Sequence, residues 1–531
     1  MSAKGAVPFH PLLMAIYPII FLVSQNPSEC SLADAVVPGA MSVAGAGVIW
    51  LVLGALLKDA RKSALIVSIG LLMFFSYGHV YNGFITGKMI GTHQIGRHLY
   101  VFPAWSLAFL GLAVVVARVR ATLNGATTFL NATAVFLLVI SLGTIAAGQF
   151  TRAEATVSSG WKGYVDRQLA RTDLLRPAPG QQRPDIYYII LDEYSRADVL
   201  QRFFGHDNTP FLDGLRSRGF YVADESRSNY LNTYLSLGSS LNMDYLHELD
   251  RASGMSSFSE YAYRPRLLHN LACLLLKKAG YQFVFFPSIY AGTSRNPNAD
   301  VYMSDVKIDL GEFDRMLINT SMLTVMNAGY GAHRRRILFD FDQLAKIPEM
   351  KAPTFTFVHF TVPHAPFIFD ANGDVPAGGV SHDDPLPKDV FIKGYADQVA
   401  YLNRRLTETV DRILAGSDVP PVIILQGDHG PGFMMPLLTS AEDNLPLIRS
   451  PILNAYYLPG DGAKRLYPSI SPVNSFRVVF NEYFGADLEL LEDATYALAD
   501  TGAGASAGKA RRDRSQWGYV LVPEREVAQA K

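Results

Sequence analysis

Apolar residues crowd into five segments at the front of the chain, Phe9–Ser24, Ala33–Leu57, Ser63–Phe84, Leu99–Ala117 and Phe129–Phe150. Each approaches the twenty or so residues that an α-helix needs to cross a bilayer. The first is the shortest and carries Pro11 and Pro18. A cleaved signal peptide is the other reading for it, although it has no small-residue cleavage site. After Phe150 the pattern changes to short apolar runs separated by helical stretches. "DIYYIIL", "YQFVFFP", "PTFTFVHF", "PVIILQ" and "ILNAYYL" read as strands, with helices over Arg266–Ala279 and Lys388–Ala415 among those between them. Alternating strands and helices predict a parallel sheet covered by helices on both faces.

The predicted organisation is a membrane domain over 1–150, a juxtamembrane segment over 151–183, an α/β domain over 184–500 and a loose tail over 501–531. In the second of these, "GWKGYVDRQLARTD" reads either as a plain linker or as a helix on the bilayer surface, with Trp161 and Tyr164 at head-group level. The tail contains the low-complexity stretch "DTGAGASAGKARRDR". No internal repeat is present.

Composition sharpens this picture. A chain of 531 residues exceeds one ordinary domain, and 49% hydrophobic with 18% charged residues suits a part-membrane protein. A net charge of −1 gives no basic face for nucleic acid. Two cysteines, Cys30 and Cys273, exclude a disulfide framework. Lys4, Lys58, Arg61, Lys62, Arg118 and Arg120 fall in alternate loops, so the basic-loop rule predicts a cytoplasmic N-terminus. Lys88 and Arg97 weaken that contrast. Five crossings then place everything after Phe150 outside the cytoplasm.

Candidate chemistry lies at strand ends, where ligands bind in open α/β sheets. "VIILQGDHGPG" ends a buried strand in Asp428 and His429, which read either as a metal-binding oxygen and imidazole or as a turn. "DIYYIIL" runs into "DEYSRAD", so Asp192 and Glu193 form either a cation site or a solvated acidic turn. Thr233, in "SNYLNTYLSLGSS", starts a helix of small residues. It reads as an N-cap, or as a nucleophile facing an anion site at the helix N-terminus. "FVHFTVPHAPF" places His364 in a stiff extended loop, able to donate to a phosphoryl oxygen, whereas His359 reads as a packed core histidine.

In this order, these motifs resemble the sulfatase-like branch of the alkaline phosphatase superfamily. The five spans before them look like those of the lipoteichoic acid synthase and phosphoethanolamine transferase families. The resemblance implies a multi-pass α-helical membrane domain followed by an α/β sulfatase-like domain with a mainly parallel central sheet. It implies a divalent cation, Mn²⁺ or Zn²⁺, with room for a second, held by Glu193, Thr233, Asp428 and His429 with help from Asp192. Thr233 matches the transferase nucleophile and His364 the substrate-binding histidine. The Cys-x-Pro-x-Arg signature of true sulfatases is absent, as are the usual catalytic-domain disulfides of phosphoethanolamine transferases.

The implied activity moves a phospholipid head group, phosphoglycerol or phosphoethanolamine, through a phospho-threonine onto an envelope glycan or lipid acceptor. The implied place is the bacterial inner membrane, with the catalytic domain on the periplasmic side. The alternatives are a hydrolase that uses water at the same site, and a non-catalytic membrane binding protein.

Overall fold

The computed structural model describes residues 6–26, 32–85, 89–90, 93–150, 153–171, 174–175, 183–254, 260–304, 312–327, 331–351, 353–376, 387–432, 448–498 and 519–522. The chain forms two compact units. The first is a bundle of α1 (His10–Gln25), α2 (Val36–Leu57), α3 (Ala60–Val80), α4 (His98–Arg118) and α5 (Asn124–Phe150). Among the described residues, four helices, α2 to α5, are long and apolar enough to cross a membrane. They turn large apolar side chains such as Leu51, Leu107 and Phe136 outward. The first predicted span is α1, whose 16 residues reach only about 24 Å. It is nonetheless packed into the bundle through Ala15 and Ile19, both fully buried. Its leading N–H groups have no partner within the helix. Phe9 and His10 give theirs to Asn131 Oδ1 on α5, at 3.1 and 2.9 Å.

Residues Ile308–Gly329 also belong to this first unit, which breaks the continuous 184–500 domain that the sequence suggested. The helix Glu312–Thr320 carries Phe313, Met316 and Leu317 at one-face spacing, and they pack with Ile19, Ile20 and Val23 of α1. Met322 N–H donates to Phe74 O at 2.8 Å. A methyl group at Gly78 would overlap the backbone of Asn319 and Thr320, so only glycine permits this approach.

The second unit is built on a seven-stranded sheet. Its strands are β1 (Ile186–Asp192), β2 (Tyr221–Val222), β3 (Gln282–Phe286), β4 (Val301–Tyr302), β5 (Thr354–Pro363), β6 (Val422–Gly427) and β7 (Asn454–Tyr457), in the order β2-β7-β6-β1-β5-β3-β4. The run β6-β1-β5-β3-β4 is parallel, and β7 is antiparallel to both neighbours. Alternation along β1 divides the core. Tyr187, Ile189 and Leu191 face the helix Lys388–Gly416, while Ile186, Tyr188 and Ile190 face the helices Leu271–Lys278 and Pro472–Phe484. The predicted helix Arg266–Ala279 is two helices, because Asn270 caps the second by accepting from Cys273 N–H at 2.9 Å.

Two expectations about the flanks are corrected. The helix Ala153–Ala170 belongs to the second unit, and Trp161 is 1% exposed. Trp161 and Tyr164 pack with Tyr230, Leu235, Leu246 and Leu249 instead of presenting their rings to head groups. Trp161 Nε1 donates to His269 O at 3.3 Å, and the Arg266 guanidinium lies 5.7 Å from its ring while pairing with buried Asp250. The expected loose tail contains a strand, Tyr519–Leu521, paired antiparallel with Tyr496–Leu498. Tyr519 joins the Trp161 cluster, so burial holds this strand in place. The low-complexity stretch lies outside the described residues.

Candidate metal and nucleophile site

The parallel strands β6, β1 and β5 lie side by side, and their carboxyl ends gather the polar residues that the sequence singled out. Asp192 ends β1 and is 5% exposed. Glu193 follows it with φ +64°, a left-handed turn that a non-glycine residue adopts only when its surroundings hold it. Asp428 supplies that hold from the end of β6, its Oδ1 accepting Glu193 N–H at 3.0 Å and His429 N–H at 2.8 Å. Both acidic side chains at the end of β1 are buried, so this is not a solvated turn.

Thr233 opens the helix Thr233–Ser240, and Asn232 rather than Thr233 is the cap, accepting from Leu235 N–H at 3.0 Å. The Thr233 hydroxyl is therefore free of capping work and faces His429 Nε2 at 3.2 Å. His429 Nδ1 lies 2.9 Å from Gly430 O. A proton there leaves the Nε2 lone pair toward the site, the arrangement common in metal-binding histidines. Burial, followed by the Arg449 charge, lowers the His429 imidazole to about 3 and keeps it neutral.

One ligand atom each from Asp192, Asp428 and His429 falls within 4.8 Å of the others. Glu193 stands beside this trio rather than in it, its Oε1 accepting Gly432 N–H at 3.1 Å and lying 3.9 Å from His364 Nε2. Burial, and then the nearby Asp428 charge, raise the Asp192 carboxyl well above the usual range. Asp192 Oδ1 and Asp428 Oδ2 are buried with no hydrogen-bond partner among the described residues. Buried polar atoms are normally paired. Two orphan carboxylate oxygens beside an imidazole and a hydroxyl are therefore the donor set that Mn²⁺ or Zn²⁺ would satisfy.

His364 reaches the same place from the loop after β5, and its backbone N–H donates to Asp192 O at 3.1 Å. Burial alone would lower its imidazole, but the Glu193 and Asp192 carboxylates outweigh it and raise the value to about 9. His359 is buried as a core histidine, and its ring also borders the site, with Nε2 3.7 Å from Asp192 Oδ2 and Nδ1 paired with Thr293 Oγ1 at 2.8 Å. Tyr290 and Arg449 also border the site. The Tyr290 hydroxyl interacts with Thr233, and Arg449 Nη2 lies 3.2 Å from His429 Nδ1. No short motif marked these two, because one follows a strand through an irregular loop and the other sits twenty residues beyond "GDHG".

Residues 184–474 match the family described as Sulfatase. No curated protein matches the chain significantly. Among solved structures, the chain is similar to the C-terminal periplasmic domain of EcEptC from Escherichia coli, at 15% identity and TM-score 0.42, over 61% of this chain and 91% of that one. It is also similar to the integral membrane lipooligosaccharide phosphoethanolamine transferase A of Neisseria meningitidis, at 14% identity and TM-score 0.41, over 89% and 95%. A third is the phosphonate monoester hydrolase of Agrobacterium radiobacter, at 15% identity and TM-score 0.38, over 61% and 83%. The family match spans more than half of the chain and takes in every residue of the strand-end site, so this chain belongs to the sulfatase family.

Proposed function

We propose that this protein transfers a phospholipid head group, phosphoglycerol or phosphoethanolamine, through a phospho-threonine to a hydroxyl of an envelope glycan or lipid. The observation that carries the reading is the uncapped Thr233 hydroxyl, 3.2 Å from His429 Nε2 and beside the Asp192–Asp428 carboxylates. Sulfatase chemistry proper would need a cysteine matured to formylglycine, and neither Cys30 nor Cys273 stands in the required signature.

A divalent cation held by Asp192, Asp428 and His429, with Thr233 and Glu193 at its edge, would lower the pKa of the Thr233 hydroxyl and neutralise phosphoryl charge. Thr233 Oγ forms the new bond to phosphorus, and the bond from phosphorus to the diacylglycerol oxygen breaks. His364, whose Nε2 lies 3.9 Å from Glu193 Oε1, supplies the proton that the leaving oxygen takes. In the second displacement an acceptor hydroxyl gives its proton to His364, restoring it, as its oxygen binds phosphorus and the bond from phosphorus to Thr233 Oγ breaks. A covalent nucleophile divides one transfer into two easier steps in this way.

The membrane placement is part of the proposal: five crossings, a cytoplasmic N-terminus and the sulfatase-like unit in the periplasm of a bacterial cell. Contacts within the bundle support α1 as a crossing. Its start meets Ser68 and Asn131 near the starts of α3 and α5, and its end packs with Phe75 and Ile145 farther along those helices. Arg61 and Lys62 bond Ala6 O and Ala117 O, gathering basic side chains at one end of the bundle.

The test is mass spectrometry of the purified full chain incubated with phospholipid vesicles. A head-group phosphate on Thr233, discharged faster when an acceptor glycan is added, is the expected result. Head-group phosphate released at the same rate with or without acceptor would make the protein a hydrolase. No adduct and no turnover would leave the binding-protein reading.

A further inference from the structure

The helix Lys388–Gly416 packs against one face of the sheet through Phe391, Val399 and Leu402. Two of its inward positions, however, are polar. Tyr395 and Gln398 are both fully buried, one helical turn apart. Sinking a phenol hydroxyl and an amide under a sheet is costly unless each finds partners. Their partners are the two loops that carry the site.

The Tyr395 hydroxyl donates to Glu193 O at 2.5 Å and accepts from Ser195 N–H at 3.2 Å. Together with the bond from Glu193 N–H to Asp428 Oδ1, this pins the peptide groups on both sides of the left-handed residue. Farther along the same helix, Asn403 Oδ1 accepts the Tyr194 hydroxyl at 2.5 Å. Gln398 serves the other loop. Its amide nitrogen donates to Pro363 O at 3.1 Å and His364 O at 3.2 Å. Its amide oxygen accepts Ile368 N–H at 2.8 Å and Phe369 N–H at 3.2 Å. The loop lies so close that a methyl group at Gly394 would overlap the Phe367 ring.

We infer that Tyr395 and Gln398 are positioning residues with separable duties. Tyr395 fixes the Asp192–Glu193 turn and hence the carboxylates offered to a cation, whereas Gln398 fixes the loop that aims His364. The activity arm of this inference rests on the proposed transferase reading, and the metal arm does not.

The experiment compares purified full-length wild type with Tyr395→Phe, Gln398→Met and Tyr456→Phe. Each substitution keeps the bulk of the side chain. Tyr456 is the control, a buried tyrosine whose hydroxyl bonds Asn454 and Ser475, away from both loops. Affinity for Mn²⁺ and for Zn²⁺ is measured by chelator competition, and kcat and KM by diacylglycerol release from vesicles of phosphatidylethanolamine or phosphatidylglycerol, whose leaving alkoxide needs a proton. Tyr395→Phe should weaken metal affinity about tenfold to a hundredfold, the range seen when a partner of a metal ligand is removed. Gln398→Met should hold metal within about twofold of wild type but lower kcat by at least about tenfold, because a misaimed proton donor costs rate. Tyr456→Phe should change neither quantity, whatever it does to the melting temperature.

Metal affinity within about twofold of wild type in Tyr395→Phe would overturn the inference. So would equal metal loss in Gln398→Met, which would mean general loosening. If wild type itself turns over no phosphodiester, the transferase reading fails, while the metal affinities still decide the role of Tyr395.

Discussion

Replacing Asp192 by asparagine should move stability in opposite directions with and without metal. Asp192 and Asp428 bring carboxylate oxygens within 4.8 Å in a buried site. Two unit charges at that separation repel by roughly 3 kcal/mol at an effective dielectric near 20. Asparagine keeps the shape and removes one charge, so chelator-treated Asp192→Asn should gain up to about 3 kcal/mol, or about 4 °C in a unit of this size.

The sign with pH follows from the raised Asp192 carboxyl. A group raised in the folded state contributes stability that is present below its unfolded value near 4 and lost as pH rises through the folded value. Chelated wild type should therefore weaken as pH climbs above about 4, and the variant should weaken less. Metal reverses the order. Saturation at about a hundred times Kd stabilises wild type by about 2.7 kcal/mol, whereas the variant lacks one anionic ligand and should show almost no shift. Calorimetry of the full chain, chelated and then loaded with Mn²⁺ or Zn²⁺, measures all four states. A full wild-type metal shift in Asp192→Asn would refute Asp192 as a ligand and return the role to Glu193.

Three further outcomes are expected. Thr233→Ala should abolish turnover and the phospho-adduct while costing about 1–3 kcal/mol, since the hydroxyl contacts with His429 and Tyr290 are lost; activity retained by the purified variant would remove Thr233 as nucleophile. Trp161→Ala should cost about 3–5 kcal/mol in thermal unfolding and leave vesicle binding unchanged, because the ring fills a core; a cheap substitution that weakens vesicle binding would restore the surface-helix reading. A reporter fused after Lys531 should be active only outside the cytoplasm, and a cytoplasmic signal would contradict five crossings.

Much of the fold is written in local pattern. Runs such as Val422–Leu425 are apolar on both faces because the strand is covered on both, and that signal needs no knowledge of neighbours. Asp428 and His429 stand out because glycines bracket them at a strand end. His359 did not, because a histidine within an apolar strand looks the same whether its ring meets a core or a carboxylate. Tyr395 and Gln398 are silent for a similar reason, since their meaning comes from loops 202 and 35 residues away along the chain. Trp161 and Tyr164 misled because an amphipathic aromatic suits a membrane interface and a protein core equally well. The excursion of residues 308–329 was hidden because three apolar residues at helical spacing do not say which surface they will meet.

That excursion limits how the sulfatase-like unit can be isolated. The obvious cut, just before the first strand near Arg183, would remove the helix Ala153–Ala170 and open the cluster that backs Leu235, two residues after Thr233. It would also keep Phe313, Met316 and Leu317 while discarding the α1 residues that cover them. Such a fragment would carry a sticky helix in its middle and a hole beside Thr233, inviting aggregation before any assay. A soluble enzyme should instead begin upstream of Trp161, with residues 308–329 replaced by a short polar bridge. Family-based trimming would miss both edits, because the matched span of 184–474 starts too late and runs straight through the segment that belongs to the bundle.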